Sequence, residues 1–590
     1  MSAISTAAGP RTTGGLGRLW FRELDRYPGS RARYTNLTIA IAATVVLYYE
    51  LYVYGAVSTS IISDLHMSFT YYVGVLVISN AIGAFASLFA GAADRFGRAN
   101  LVAYGLMVTS ALTLFVVPAM HTKLAFGVVY SIIGFVEGVI LVATPALVRD
   151  FSPQLGRASA MGFWTLGPVV GSLIVSEVSS HTLSHLHNYR DQYYICGAVG
   201  LAISLAALVM LRELSPDLRD QVMVSVDDAA MVESRALSGQ VHANLEKPWR
   251  QMLKPDIVGG AAGISLYLML YYTAVAFFPI FFQTVQNFSQ GEANSLLNYY
   301  WASNAISLVV VGVLSDRVRL RKPFMAVGAV GTLVTVATLI SRTPHTHTSF
   351  RTFAIICTGL GVYGGFTFAP WMAAFTENVE KRNPALAATG LAVWGWLLRA
   401  VVALSFLVLP HVITSVTPLV NDGARVQAVV AAHPDLVASL QAHPAEAALL
   451  SKFSAANPPT GNDLNTLLTT FGIDNLTQLQ DPKTAADITF LQAHGTAVQK
   501  AQADAPDQWR NWFYICLAGE IAFLPLMLLM AGVWRRRDND DTVSDAGIGI
   551  TAGTTDPTSL IPSQNDPIAL DKTIDLTSAS SRHRTRRQSR

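Results

Sequence analysis

Three glutamates lie inside long apolar stretches of this sequence. Glu50 stands in the phrase YYELYVYG, Glu137 in GFVEG, and Glu520 in the last apolar stretch. An ionised carboxylate at the centre of a membrane costs about 2.5–3.5 kcal/mol or more, so acids in such stretches are usually functional and face a cavity. Reversible proton binding is the chemistry that a carboxyl group can perform there, and we predict the three glutamates as proton-coupling candidates. For each, a structural hydrogen bond or ion pair between helices is the alternative.

Arg399 is the only arginine deep within an apolar stretch. A guanidinium does not lose its proton in proteins, so Arg399 needs an acidic neighbour or an anionic substrate. Both roles are open: an ion pair with one of the glutamates, or direct contact with a substrate. Aromatic and amide side chains are predicted to line an amphipathic cavity nearby, with a belt at the lipid interface as the alternative for some aromatics. The cavity candidates are Tyr49, Tyr54, Tyr271, Tyr272, Asn304 and Trp396.

The composition indicates that these residues are embedded in lipid. Of the 590 residues, 51% are hydrophobic and only 14% are charged, whereas a soluble domain carries about 25% charge. The three cysteines fall in apolar stretches, which argues against a disulfide framework and against a zinc site. The sequence has no phosphate-binding G-x-x-x-x-G-K-[ST] loop. We therefore expect membrane lipid as the surroundings and no metal, cofactor, nucleic-acid partner or enzymatic activity.

Apolar runs long enough to span a bilayer, about 20 residues each, occur twelve times. They lie near 37–60, 70–92, 101–120, 124–148, 158–178, 193–212, 257–283, 296–314, 323–341, 351–374, 386–410 and 511–534. The loops between them are alternately rich and poor in lysine and arginine, and basic loops mark the cytoplasmic side. We predict an integral, multi-pass plasma-membrane protein with two groups of six helices and both termini cytoplasmic.

One charged phrase occurs in both groups of helices. The sequence reads GAADRFGR over 91–98 and GVLSDRVR over 312–319. This phrase resembles signature motif A of the major facilitator superfamily, G-x-L-a-D-r-x-G-r-k. The resemblance implies an all-α membrane fold of twelve transmembrane helices in two six-helix pseudo-repeats, with a substrate site between them and alternating access by rocking of the halves. The residues that inherit the gating role of the motif are Gly91, Asp94, Arg95, Gly97, Arg98, Gly312, Asp316 and Arg317.

The sequence departs from the family patterns at several positions. Ala90 stands where the first copy of motif A should open with glycine, and Arg319 stands where the second copy should have its second glycine. The fourth run departs from motif B, which has an arginine three residues before a Gln-Gly pair. Gly134 occupies the arginine position and Glu137 the glutamine position. The proton-linked arginine that is usual in the family is therefore missing.

Two further phrases resemble different branches of the superfamily. YELYVYG over 49–55 resembles the Tyr-Asp-Phe-x-Leu-Tyr-Gly phrase of metabolite–proton symporters. Gly167, Pro168 and Gly171 in the fifth run resemble motif C of drug–proton antiporters and are predicted to kink that helix, with simple packing as the alternative. The resemblances imply a proton-coupled secondary transporter of a small organic solute, with metabolite symport slightly favoured. A drug–proton antiporter, an efflux pump, is the alternative.

The second half contains an insert. Tyr194 and Tyr514 open the last run of each half at an offset of 514 − 194 = 320, whereas Asp94 and Asp316 stand at an offset of 316 − 94 = 222. The difference of about 98 (320 − 222) corresponds to 415–510, a polar stretch whose apolar spacing indicates short amphipathic helices. We predict an extracytoplasmic insert between the eleventh and twelfth helices that could bind a protein partner. A non-transporting receptor or envelope assembly factor is thus a second alternative.

These observations define the predicted organisation of a chain that we expect to act as a monomer. The predicted parts are a basic cytoplasmic arm (1–35), an N-terminal six-helix bundle (36–212), a cytoplasmic linker (213–255), helices seven to eleven (256–414), the insert (415–510), helix twelve (511–535) and a disordered cytoplasmic tail (536–590). The predicted partners are a small-molecule substrate and protons, and the substrate itself is not identified by the sequence.

Overall fold

The fold is that of a computed structural model, which describes most of the chain up to residue 534. Described are residues 20, 22–24, 26–88, 97–152, 164–186, 188–215, 248–346, 348–382, 387–446, 460–479, 481–530 and 534. The predicted tail over 536–590 and the centre of the predicted linker lie outside these residues. The described part is almost entirely helical, so the predicted all-α class is confirmed.

The described part of the N-terminal half contains seven helices. These are α1 (Ser30–Ala56), α2 (Ser58–Asp64), α3 (Phe69–Leu88), α4 (Arg98–Ala111), α5 (Lys123–Phe151), α6 (Gly167–Thr182) and α7 (Arg190–Met210). A π-helical turn at Leu112–Val116 and a 3-10 turn at Val117–Ala119 continue α4. The six long helices form one bundle, in which α1 packs on α5, α6 and α7.

The C-terminal half follows the same plan. Its helices are α8 (Pro248–Met252), α9 (Pro255–Tyr267), α10 (Met269–Thr284), α11 (Gln290–Val318), α12 (Lys322–Arg342), α13 (Phe350–Arg382) and α14 (Ala387–Val412). Leu268 separates α9 from α10, so one predicted span is built from two helical pieces. A capping box between Ser289 and Glu292 starts α11, which satisfies N–H groups that have no partner within the helix.

Five helices complete the described chain. They are α15 (Val416–Asn421), α16 (Gly423–Ala432), α17 (Pro434–Ala442), α18 (Gly461–Gln478) and α19 (Pro482–Leu528). The hydroxyl and backbone N–H of Thr484 bind Asp481 at the start of α19, and these hydrogen bonds hold the pKa of the Asp481 carboxyl below its usual range. Residue 510, the predicted end of the insert, lies inside α19, because the helix passes without a break from the insert into the last span.

Eleven of the described helical segments are long and apolar enough to cross a membrane. The predicted fifth span is not among them, since α6 has 16 residues in the described part of the chain. We call the side of the bundles where α1 ends the insert side, and the side where α1 begins the linker side.

The two halves contact each other on the insert side. Phe277 of α10 packs between Phe69 of α3 and Phe406 of α14, with ring centroids 5.7 and 4.9 Å away. Thr59 donates a hydrogen bond to Gln283 at 2.9 Å. Further hydrogen bonds between the halves lie on this side, among them those from Ser60 to Gln290 and from Asn294 to the carbonyl oxygen of Ala56. The protein is therefore closed on the insert side.

The insert has an apolar core of its own. Val429, Leu436, Leu440, Phe471 and Ile488 are buried together among α16, α17, α18 and α19. A small helical cluster of this kind agrees with the amphipathic spacing of the sequence. The insert also contacts the N-terminal half, because α15 packs against α2.

The arm before α1 is part of the N-terminal bundle. Glu23–Leu24 (β1) pairs in parallel with Glu213–Leu214 (β2), which follows α7. Arg22 is buried, and its guanidinium donates to the carbonyl oxygen of Ala207 at 2.9 Å. The described end of the arm thus packs against the end of α7 and the strand that follows it.

Candidate functional site

Glu137 lies in α5 within a close contact between two helices. It is 2% exposed, and neither of its carboxyl oxygens has a hydrogen-bond partner among the described residues. Gly138, the next residue, lies so close to α3 that an added Cβ would overlap the carbonyl oxygen of Gly83. A carboxyl group that is buried without a partner is costly unless it takes up a proton or a ligand.

The same contact explains the departure from motif B. Gly134, at the position of the family arginine, packs directly on Ser79 of α3, where even a Cβ would overlap the serine hydroxyl. An arginine has no room there. The α3–α5 contact therefore replaces the motif B arginine with backbone packing, and Glu137 has no cation beside it in its own half of the described chain.

Glu137 belongs to a polar cluster at the boundary between the halves. Tyr48 of α1 lies within electrostatic range of Glu137, of Tyr272 in α10 and of Arg399 in α14. Tyr52, one helical turn after Tyr48, lies within range of Tyr272 as well. The structure thus brings Glu137 and Arg399, from opposite halves, within electrostatic range of the same tyrosine, Tyr48. We call Tyr48, Tyr52, Glu137, Tyr272 and Arg399 the interface cluster.

Arg399 has no acidic partner among the described residues. It is partly buried, and no ion pair or hydrogen bond of its side chain involves a described residue. The predicted ion pair with a glutamate is therefore absent here: Glu50 is bound elsewhere, and the carboxyls of Glu137 and Glu520 have no partner among the described residues. A fixed positive charge at the boundary between the halves remains available for an anionic ligand.

Glu50 points into the N-terminal half, away from Arg399. Its carboxyl oxygens accept hydrogen bonds from Thr109 at 2.7 Å and Ser110 at 2.5 Å. Both hydroxyls come from the end of α4, directly before the π-helical turn at Leu112–Val116, which is a local irregularity often found at functional sites. Gly200 of α7 leaves room for the carboxyl, because a Cβ there would overlap it. This geometry corresponds to the structural hydrogen bond that was the alternative for Glu50.

Glu520 lies inside the C-terminal half. It is 1% exposed, and both carboxyl oxygens are without a partner in the described part of the chain. Tyr267 of α9 lies within electrostatic range of it and shares a hydrogen bond of 2.6 Å with Thr332 of α12. Glu520 is therefore separate from the interface cluster.

Glu50 and Glu520 occupy related places in the two halves. Ser110 and Thr332 stand at an offset of 332 − 110 = 222, and Gly200 and Glu520 stand at an offset of 520 − 200 = 320, which are the offsets of the sequence repeat. A carboxyl group thus fills the space beside the first, third and sixth helix of each half. It comes from the first helix in one half and from the last helix in the other.

The predicted cavity residues divide into two groups. Tyr271, Tyr272 and Tyr54 lie at or next to the interface cluster: the rings of Tyr271 and Tyr272 are 5.3 Å apart, and Tyr54 is within range of Tyr272. The other three face elsewhere. Tyr49 is buried in the N-terminal half, Asn304 donates to the carbonyl oxygen of Gly361 in α13 at 3.0 Å, and Trp396 is 45% exposed.

Tyr48 and Tyr52 are site residues that the sequence prediction did not include. Their rings are 5.5 Å apart, because residues four apart lie on the same face of a helix. That spacing was visible in the sequence. Glu50, two residues from each of them, necessarily faces another direction.

The first copy of motif A is described only at its end. Gly97 has φ +87°, a conformation that favours glycine. The backbone N–H of Arg98 donates to Glu213 at 2.6 Å, and its guanidinium forms an ion pair with the fully buried Asp150 at 3.1 Å. The motif thus joins α4 to the end of α5. Outside the described residues lie Gly91, Asp94 and Arg95.

The second copy forms a comparable joint. Arg321 binds Asp316 at 2.5 Å and Glu377 of α13 at 3.0 Å. Arg319, at the glycine position of the pattern, has φ +55°, a left-handed backbone conformation that favours glycine. The remaining motif residues make no comparable contact in the described part of the chain: a Cβ at Gly312 would meet only Ala369, at 4.0 Å, and Arg317 is exposed.

The motif C-like segment of the fifth predicted span, which lies at the start of α6, packs on α1 next to the interface cluster. A Cβ at Gly171 would come within 2.6 Å of the Cβ of Tyr48, and one at Gly167 within 2.8 Å of the Thr44 methyl group. Pro168 lies in the first turn of α6, two residues after a break at Leu166. The two glycines therefore fix the distance between α6 and the face of α1 that carries Tyr48.

Comparison with known proteins identifies the family. The sequence model described as Major Facilitator Superfamily matches residues 39–406, more than half of the chain. The chain belongs to the major facilitator superfamily. It is therefore an integral, multi-pass membrane protein of a family of transporters, which are not enzymes, as the repeated motif predicted. Among the described residues no group of three or more metal-ligating side chains occurs.

Several curated proteins are similar over about half of the chain. "Probable anion transporter 3, chloroplastic" of Arabidopsis thaliana is 23% identical over 52% of this chain and 62% of its own length. "Sugar phosphate exchanger 3" of Xenopus laevis is 21% identical over 44% and 57%. "Probable small intestine urate exporter" of Homo sapiens is 22% identical over 46% and 56%. The chain thus spans less than two thirds of the length of these relatives.

Solved structures share the fold at low sequence identity. A bacterial homologue of the human lysosomal transporter Spinster, in an inward-facing and occupied conformation, has a TM-score of 0.54 at 14% identity, covering 85% of this chain and 98% of that one. A D-xylose–proton symporter has a TM-score of 0.50 at 15% identity, covering 65% and 90%. These similarities establish the fold of the superfamily for this chain.

Proposed function

We propose that this protein is a proton-coupled transporter of a small organic anion. The observation that carries the proposal is the interface cluster, in which Arg399 has no acidic partner and Glu137, from the opposite half, has no hydrogen-bond partner among the described residues. Arg399 binds the anion, and Glu137 carries the proton. Because the two residues belong to different halves, rocking of the halves exposes both to one side of the membrane at a time.

The charge balance of the site gives the coupling. With Glu137 protonated, the cluster carries the single positive charge of Arg399, which attracts an anion. The site with its bound anion is then electrically neutral. The protein therefore passes through the state that is closed on both sides without burying a net charge. When Glu137 loses its proton, its carboxylate competes with the anion for Arg399, and the anion is released. Proton and anion therefore move together, which is symport.

The relatives support an anion as the cargo. The three curated proteins are described as an anion transporter, a sugar phosphate exchanger and a urate exporter. A phosphate, a carboxylate and an ionised purine share the ability to bind a guanidinium through two oxygen or nitrogen atoms. The aromatic rings of Tyr48, Tyr52 and Tyr272 would contact the organic part of such a molecule.

In this proposal the linker side is the cytoplasm and the insert lies outside the cell. The membrane is the plasma membrane, both termini are cytoplasmic, and the protein acts as a monomer. Closure on the insert side then means that the conformation is not outward-facing. Glu50 has a supporting role, because its carboxyl is bound by two hydroxyl groups inside one half. Glu520 has a similar role in the other half.

Proteoliposomes with an imposed proton gradient test the proposal. The probes are small carboxylates, urate and sugar phosphates, with neutral sugars as controls. Arg399→Gln should lower the affinity for the anion about tenfold to a hundredfold, since hydrogen bonds to charged groups contribute about 1.5–3 kcal/mol. Glu137→Gln should abolish proton-driven accumulation while anion exchange between the two sides continues.

Glu50→Gln is the comparison variant: its carboxyl lies within electrostatic range of Glu137 but is hydrogen-bonded inside its own half by Thr109 and Ser110. It should retain proton-driven accumulation. Full accumulation by Glu137→Gln, or uptake of neutral sugars in preference to anions, would contradict the proposal. Loss of accumulation in Glu50→Gln but not in Glu137→Gln would transfer the proton-carrying role to Glu50.

A further inference from the structure

A polar cavity lies on the insert side, outside the contact between the halves. Its volume is about 700 Å³, within the range of small-molecule sites. Three parts of the chain form its walls: α2 and residues 188–190 of the N-terminal half, residues 283–288 of the C-terminal half, and the insert. We call it the outer chamber. The hydrogen bond from Thr59 to Gln283, which joins the halves, forms part of its wall.

The charges in the outer chamber neutralise each other. Asp64 accepts a hydrogen bond from Arg190 at 2.7 Å in an ion pair, and the same oxygen accepts one from Tyr189 at 2.9 Å. Asp64 and Arg190 are the charged side chains among the described residues that line the chamber. An ionic ligand would have to compete with this pair, so the chamber favours a neutral one.

The remaining lining is rich in side-chain amides and hydroxyls. Asn287 of the C-terminal half and Gln427 and Gln502 of the insert line the chamber as exposed side chains. Their amides have no hydrogen-bond partner in the described part of the chain. Each amide offers a donor and an acceptor, and a hydroxyl group needs both. Several unengaged amides around one cavity therefore match a neutral ligand with several hydroxyl groups.

We propose that the outer chamber binds a neutral polyhydroxylated ligand, a sugar or a polyol. The amides of Gln427 and Gln502 hold it from the insert and that of Asn287 from the C-terminal half. The rings of Tyr189 and Phe288 provide apolar surface for its C–H groups. This site is separate from the interface cluster, and its ligand differs from the proposed anionic cargo in charge.

Binding in the outer chamber also stabilises the closed insert side. The ligand touches both halves and the insert, and these walls separate when the protein opens on that side. A ligand that binds one conformation better shifts the population toward it. The ligand therefore slows transport without entering the transport path. This consequence rests on the proposed function, whereas binding itself does not.

Isothermal titration of the purified full chain tests the binding. The probes are sucrose, maltose and sorbitol, with glucose 6-phosphate and citrate as charged probes. At least one neutral probe should bind, and the double variant Gln427→Leu/Gln502→Leu should raise its Kd about tenfold or more. Gln492 is another exposed glutamine of α19, the helix that carries Gln502, and it does not line the chamber. The control variant Gln492→Leu should leave the Kd unchanged.

The variant Arg399→Gln separates this proposal from the proposed function. It should lose the anion and keep the neutral probe. The proposal is overturned if no neutral probe binds, if the double variant binds as well as the original protein, or if the neutral probe depends on Arg399. In the last case the neutral sugar binds at the interface cluster as cargo. Both the proposed anionic cargo and the proposed binding site in the outer chamber would then be wrong.

Discussion

The hydroxyl oxygen of Thr417 in the insert accepts a hydrogen bond of 2.9 Å from the backbone N–H of Phe69. Phe69 begins α3, and the first N–H groups of a helix have no partner within it. The insert therefore caps a helix of the opposite half. Since the insert directly follows α14, and α14 packs on α3, this hydrogen bond holds the two helices together on the insert side.

Thr417→Val should favour opening on the insert side. The variant keeps the shape of the side chain and leaves the N–H of Phe69 without its partner, at a cost of about 1 kcal/mol. That corresponds to about a fivefold shift between closed and open populations. Spin labels at His185→Cys and His345→Cys, two exposed residues in opposite halves, should report a larger fraction of long distances in double electron–electron resonance measurements.

The native cysteines do not interfere with these labels, because all three are buried. Thr477→Val is the matched control, since this exposed threonine of the insert bonds only within its own helix, to the carbonyl oxygen of Ile473. It should give the distance distribution of the original protein. Equal distributions for Thr417→Val and the original protein would show that the cap does not hold the insert side closed.

Gly138→Ala should destabilise the protein and displace Glu137. An added methyl group would overlap the carbonyl oxygen of Gly83 in α3, and overpacking of this kind costs about 1–3 kcal/mol. Gly74→Ala in α3 is the control, because a Cβ there meets nothing within 4 Å; it should be neutral or slightly stabilising. The melting temperatures of the purified variants check both. A normal melting temperature for Gly138→Ala would mean that α3 and α5 separate easily.

The sequence predicted the repeated architecture better than the direction of individual side chains. Two copies of motif A and twelve apolar runs indicate the superfamily fold, because hydrophobic length and loop charge are local properties. Whether Glu50 or Tyr48 faces the other half depends on the rotation of α1. That rotation follows from packing against Gly167 and Gly171 of α6, which is a property of the assembled bundle.

The continuous α19 shows a second limit of the sequence. Residue 510 separates polar from apolar composition, and composition alone therefore predicts a boundary there. The backbone stays helical across it, because a helix needs the same hydrogen bonds in water and in lipid. Composition likewise could not predict the contact between Thr417 and Phe69, since the two residues are 348 positions apart.

The equivalent ion pairs of the two halves should differ in energy. Asp150 and Glu377 stand at the same position of their helices, counted from the first residue (150 − 123 = 377 − 350). Asp150 binds Arg98, the last residue of the first motif A copy, and Glu377 binds Arg321, two residues after the second copy. The side chain of Asp150 is fully buried, whereas that of Glu377 is 42% exposed. Breaking a buried pair costs about 3–5 kcal/mol, and an exposed pair contributes about 1 kcal/mol or less.

Asp150→Asn should therefore lower the melting temperature much more than Glu377→Gln. Each substitution keeps the size of the side chain and removes its charge. Thermal unfolding in the same detergent compares them directly. Similar melting temperatures for the two variants would show that the burial difference does not translate into stability.

Arg319→Gly and Gly97→Ala should change stability in opposite directions. Arg319 has φ +55° and ψ 30°, a conformation that costs a non-glycine residue roughly 1–2 kcal/mol. Glycine removes that strain but adds about 0.5–1 kcal/mol of chain entropy, so Arg319→Gly should stabilise the protein by up to about 1 kcal/mol. Gly97→Ala places a methyl group in a strained backbone against Glu213, which costs about 1–3 kcal/mol.

Arg319→Ala separates the backbone effect from the loss of charge. It removes the same guanidinium as Arg319→Gly but keeps a Cβ in the left-handed conformation, so it should give no increase in melting temperature. An equal increase for both variants would attribute the gain to the removed charge among the basic residues of that loop. An increase for glycine alone means that Arg319 is held in a strained left-handed backbone at the position where the family pattern has glycine.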